Sequence, residues 1–219
     1  MRIKDIFHNI MRLILPQKCL SCGILGEIIC ENCLYRLPKE SSIYGITTIF
    51  AYSDPTVKKA IWLLKYKGIR EVVKPFAKII HERLLEDLAG TSELMLNQGE
   101  KILIVPAPLS KERLKERGFN QSEELARGIV NLDGGQSFTL GNNILIKTKN
   151  TPSQVSIKNR TKRIKNLRGV FALQNKAAAR DKIIVLLDDV TTTGTTLSEC
   201  ARVLRRAKPR LIIKLALAH

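Results

Sequence analysis

The stretch Val185–Glu199, VLLDDVTTTGTTLSE, decides the fold. The run Ile183 to Leu187 is continuously apolar, as expected of a strand covered on both faces. It ends in two adjacent carboxylates, Asp188 and Asp189, passes through the loop Val190 to Gly194, and enters a helix predicted over about Thr195 to Ala207. Each part has a chemical use. The hydroxyls of Thr192, Thr193, Thr195 and Thr196, with backbone N–H groups at a helix N-terminus, can wrap a phosphate, and Gly194 allows close approach. The two carboxylates repel a phosphate but accept hydrogen bonds from sugar hydroxyls. In outline, one loop recognises a ribose 5-phosphate. A threonine-rich helix cap would explain the hydroxyls but not the paired carboxylates. A Walker loop would end in GK[ST], which is missing here, and no GxGxxG follows a strand.

Outward from this loop, strands alternate with helices. Ile46 to Tyr52, Ile102 to Val105, Ile144 to Ile146 and Leu211 to Leu217 read as strands. Thr56 to Lys67, Glu71 to Leu88 and Glu123 to Val130 read as helices, with Trp62 expected in the core and a charged segment preceding Glu123. This alternation predicts an α/β fold with a mainly parallel sheet flanked by helices. A chain of 219 residues suits one main domain with a small appendage. The expected division is 1–45 for an N-terminal helix and metal module, and 46–219 for the α/β domain. The N-terminal helix, packed on the body or else lying on a membrane surface, is expected from Ile3, Ile6, Phe7, Ile10, Leu13 and Ile14 at helical intervals, with Arg2, Lys4 and Arg12 between them.

Four of the five cysteines form two CxxC pairs, Cys19 with Cys22 and Cys30 with Cys33, separated by seven residues. Such spacing brings four thiolates onto one tetrahedral ion, and zinc is the expected metal. Disulfides would need an oxidising compartment, which no signal peptide suggests, and neither CxxC lies in a βαβ unit as a thioredoxin-type centre would. With four sulfurs bound, no position stays open for water, so the metal would be structural. Cys200 reads as an ordinary buried thiol.

Lysine and arginine number 37 against 20 acidic residues, a surface that attracts anions. Ten basic residues and no acidic one fall between Lys147 and Arg180. Tyr66, Phe119 and Phe171 are the aromatic residues nearest to basic clusters. No apolar run is long enough for a membrane span, and the expected location is cytoplasmic.

The acidic-pair loop resembles the signature of type I phosphoribosyltransferases. CLSC with CENC, LKYKG, VPAPLSKERLKERGFNQ, and TPSQ followed by RTKRIKNLRGVF resemble, in that order, the ComF family of competence-associated phosphoribosyltransferase-like proteins. With the acidic-pair loop, these segments are spread along most of the chain. The resemblance implies a type I phosphoribosyltransferase-like fold. It further implies that Asp188 and Asp189 hold the ribose hydroxyls of phosphoribosyl pyrophosphate (PRPP), and that Thr191, Thr192, Thr193, Gly194, Thr195 and Thr196 hold its 5′-phosphate. Lys111, Arg113 and Arg117 would form the pyrophosphate-side loop, with magnesium sharing the charge. The segment Gln154 to Arg168, including Arg160, Lys162, Arg163 and Lys165, would be a lid over PRPP, a nucleic-acid surface, or both. Expected partners are PRPP or a related ribose phosphate, single-stranded DNA and competence proteins. Two functions are implied: DNA handling during uptake, and transfer of the phosphoribosyl group to a nucleobase or amido acceptor.

Overall fold

The computed structural model describes residues 17–40, 42–90, 99–149 and 169–219. The expected N-terminal helix and the basic segment Gln154 to Arg168 lie outside the described residues. The main sheet has five parallel strands in the order β1 (Thr47–Phe50), β7 (Leu211–Ala218), β6 (Ile183–Val190), β2 (Ile102–Pro106) and β3 (Phe138–Leu140). β4 (Leu145–Lys147) and β5 (Phe171–Leu173) form a separate antiparallel pair. The helices, in chain order, are α1 (Glu31–Arg36), α2 (Pro55–Trp62), α3 (Val73–Gly90), α4 (Lys111–Arg117), α5 (Gln121–Asp133), α6 (Lys176–Ala179) and α7 (Thr195–Leu204).

Alternation along the central strands divides the interior in two. Ile183, Val185 and Leu187 of β6, with Ile102 and Ile104 of β2, face a core shared with α2, α3 and α5. Ile184 and Leu186, with Leu103 and Val105, face a second core built from α7 and the β4–β5 pair. A strand buried on both faces has no polar side to show, which is why Ile183 to Leu187 is uninterrupted. On the first face α3 and α5 pack closely at Gly128, where a Cβ would lie 2.9 Å from both Ala77 and Val73.

The chain moves outward from the middle of the sheet in both directions. β2 leads through α5 to β3 at one edge, while β6 leads through α7 to β7 on the other side. The carboxyl ends of β2 and β6 therefore flank the point where strand order reverses, which is where open α/β sheets bind ligands.

The cysteine segment docks on this body. Ile28, Ile29, Leu34 and Leu37 join the same core as Phe50 and Phe76. Tyr35 donates a hydrogen bond to Glu82 on α3 (2.7 Å), and Lys78 on α3 pairs with Glu31.

Three local features differ from the sequence reading. Trp62 is 46% exposed, because Val57, Ala60, Ile61 and Leu64 form the buried face and Trp62 is turned about 100° from Ile61. The charged segment 111–117 is a helix, capped by the Ser110 hydroxyl and ended by left-handed Gly118, although no residue in it is buried. The short strand near Ile144 is β4, and it pairs with β5 outside the main sheet.

Candidate ribose-phosphate cleft

A cleft opens at the carboxyl ends of β2 and β6. Ala107 to Leu109, which follow β2, form one side, and Asp188 to Thr196 form the other. The loop after β6 is held by its own hydroxyls and by β7. Thr191 donates its N–H to the Ala218 carbonyl (2.9 Å) and accepts at Oγ1 from Gly194 N–H (3.1 Å). Thr193 and Thr195 share a hydroxyl bond of 2.7 Å. Gly194 sits at φ +70° as the residue capping α7, so Thr195 begins the helix with its first-turn N–H groups directed toward the loop.

The acidic pair is divided between two environments. Asp189 is buried and its Oδ2 lies 3.0 Å from Lys65 Nζ. Asp188 accepts at Oδ1 from the Ser122 hydroxyl and from Asp189 N–H, both at 2.9 Å. Burial pushes the Asp188 carboxyl up, the Asp189 charge adds to this, and the Lys65 charge only partly opposes them, leaving it at about 7.

Lys65 reaches Asp189 from a π-helical turn, Leu63–Lys67, that continues α2 and ends at left-handed Gly68. Ser122 is placed by the start of α5. Asn120 caps that helix by accepting from Ser122 N–H (3.1 Å) and donates to the Ala107 carbonyl (3.0 Å), locking α5 to the loop after β2.

Of the predicted pyrophosphate-side cations, Arg113 and Arg117 line the cleft. Their i, i+4 spacing puts them on one face of α4. Lys111 lies instead on a neighbouring groove with Leu145 and Ile146. Arg117 donates from Nη1 to Gln121 Oε1 (2.8 Å), whereas its buried Nε has no hydrogen-bond partner among the described residues. Lys147 at the end of β4 also lines the cleft; burial lowers its ammonium pKa, and the nearby Arg113 charge lowers it further. Lys65, Arg113, Arg117 and Lys147 thus outnumber the two carboxylates, which suits a ligand richer in negative charge than in hydroxyls. Lys65 could have been found through the LKYKG segment. Gln121 and Phe171 likewise end two of the quoted segments, whereas Ser122 and Lys147 belong to none of them and join the cleft through tertiary packing.

The four cysteines form a second cluster. Their sulfurs all lie within 4.8 Å of one another, and Cys22 Sγ is 3.7 Å from Cys30 Sγ. Tetrahedral zinc with Zn–S bonds of about 2.3 Å sets sulfurs about 3.8 Å apart, so the donor set fits zinc. Burial raises the Cys19 thiol pKa, but N–H donors of Cys22, Cys30 and Ser21 outweigh this and bring it to about 6. Cys30 is the N-cap residue of α1 and Cys33 lies in its first turn, so the helix start fixes the spacing of this pair.

Residues 117–219 match the phosphoribosyl transferase domain family. The parallel sheet, with its hydroxyl loop after the central strand, is of the type I phosphoribosyltransferase kind. The chain is 31% identical over 191 residues to competence protein ComFC of Bacillus subtilis strain 168, covering 85% of this chain and 70% of that protein. It is 28% identical over 190 residues to competence protein F of Haemophilus influenzae, and 29% identical over 191 residues to DNA utilization protein YhgH of Escherichia coli O157:H7. Each of these two matches covers 86% of this chain and 78% of the relative. The chain belongs to the ComF family: it is a competence-related protein built on a phosphoribosyltransferase domain.

Proposed function

We propose that the cleft binds PRPP with magnesium and that the protein handles single-stranded DNA during DNA uptake. The observation that carries the first half is the juxtaposition of the acidic pair with the threonine loop at the sheet's switch point. The ribose hydroxyls donate to Asp188 and Asp189, and the 5′-phosphate takes the loop hydroxyls and the first N–H groups of α7. The pyrophosphate faces Arg113, Arg117 and Lys147, and Arg117 Nε, unpartnered among the described residues, supplies a donor for it. Magnesium fits as an ion held mainly by PRPP oxygens with at most one or two carboxylates, since Lys65 already partners Asp189. It would offset phosphate charge. Zinc at Cys19, Cys22, Cys30 and Cys33 is structural in this reading.

The DNA half draws on the names of the relatives and on the basic excess. Lys111 and the segment Gln154 to Arg168 join it as candidate phosphate contacts. Transfer of the phosphoribosyl group is a second reading. It is favoured by the cations gathered on the pyrophosphate side, which would stabilise the leaving group as its charge develops.

Titration calorimetry with PRPP and magnesium tests the cleft. Heat of binding is expected from the native chain and none from the Asp188→Ala, Asp189→Ala double variant; a native chain that gives no heat would remove both the binding and the transfer readings.

A further inference from the structure

The sole tryptophan of the chain stands at the surface. Trp62 is 46% exposed and Tyr66, one turn further along α2 and its π-helical extension, is 60% exposed. Their ring centroids are 6.2 Å apart. Two large rings left side by side in water form an exposed patch, unlike an isolated exposed apolar side chain.

Cations frame the pair. Lys67 Nζ lies 5.4 Å from the Trp62 ring centroid and the Arg117 guanidinium 5.6 Å from that of Tyr66. Beyond them the Arg70 guanidinium lies 4.5 Å over the Phe119 ring. From Pro55 to Arg70 the chain carries Lys58, Lys59, Lys65, Lys67 and Arg70 and no acidic residue. Tyr66 and Arg117 are also walls of the ribose-phosphate cleft, so the strip runs outward from it without a break.

We propose that Trp62 and Tyr66 form a stacking platform for unpaired bases of a single nucleic-acid strand, whose phosphates lie along Lys67, Arg117 and the lysines of α2. The inference rests on the DNA reading above and gives it a location. Aromatic faces between cations suit bases between phosphates. The core of a protein–protein interface is, by contrast, depleted in lysine. Bases in a duplex are already stacked on one another, so the platform discriminates against double strands.

Because Trp62 is the only tryptophan, its emission reports the platform alone. The full chain is titrated with a 5′-labelled oligothymidylate of about 16 nucleotides, within the site sizes of single-strand binders, and with a duplex of the same length. Label anisotropy and tryptophan emission are followed together. Expected results are quenching of Trp62 by the single strand, affinity weakened on the order of tenfold by Trp62→Ala, and recovery of most of it by Trp62→Phe. The slope of affinity against salt should be unchanged in both variants, since no charge is removed. Rising anisotropy without any change in Trp62 emission, with both variants binding as tightly as the native chain, would overturn the platform and leave the DNA reading standing. No anisotropy change at low salt would remove both. If Trp62→Ala melts below the assay temperature, native quenching and the Trp62→Phe affinity decide the matter.

Discussion

Asp188 and Asp189 are neighbours in the chain but not in their surroundings. Asp189 is paired directly with Lys65, while for Asp188 burial and the charge next door outweigh the Lys65 charge and two hydrogen-bond donors. A carboxyl at about 7 in the folded chain, against about 4 in the unfolded one, makes the native state bind the extra proton between those values. Stability therefore falls as pH rises through that window and levels off above it. Asp188→Asn removes the charge and keeps a polar partner for Ser122. It is expected to be more stable than the native chain at pH 8, by on the order of 2 kcal/mol, and to match it below about pH 4. Thermal denaturation at both pH values checks this, and an equal offset at both would place the effect in the lost contact instead. Stability given up at such a position is characteristic of a binding site. The sequence revealed the pair and its loop, because strand, carboxylates and threonines are contiguous. It could not reveal that Ser122 and Lys65 divide the pair's electrostatics, since both arrive from elsewhere in the chain.

Elements were legible where one face is apolar and obscure where none is. β6, β7, α3, α5 and α7 were readable from their apolar pattern. α4 was not, for its seven residues bury nothing and its evidence is only the Ser110 cap and Gly118. β3, with three residues, is too short to show a period. Trp62 was misplaced because hydrophobicity was read without its angular position on α2. The junction of the threonine loop with α7 depends on one backbone position. At Gly194, φ is +70° and an added Cβ would meet Ile46 Cδ1 at 2.6 Å. Gly194→Ala should cost about 1–3 kcal/mol from left-handed strain and this contact together. Pairing it with Ile46→Val, which trims the contacting side chain, should return part of that loss. Chemical denaturation of the single and double variants measures both; a double variant no more stable than the single one would assign the whole cost to the backbone.

At the scale of the molecule, the cysteine segment and the sheet share a core, since Ile28, Ile29, Leu34 and Leu37 pack with Phe50 and Phe76. Zinc stripped by a strong chelator should therefore lower the melting temperature of the whole chain by at least about 5 °C, in one transition. A separate early transition with the main one unmoved would show that the segment melts alone. Elemental analysis should find about one equivalent of zinc before chelation. The order of the strands has a further consequence for how the chain is made. Within the main sheet, among the described residues, β1, the first strand to be synthesised, has β7, the last, as its one neighbour. On the ribosome β1 has only its local bridge to Lys39 until Leu211–Ala218 has emerged, and the sheet closes by its most distant contact.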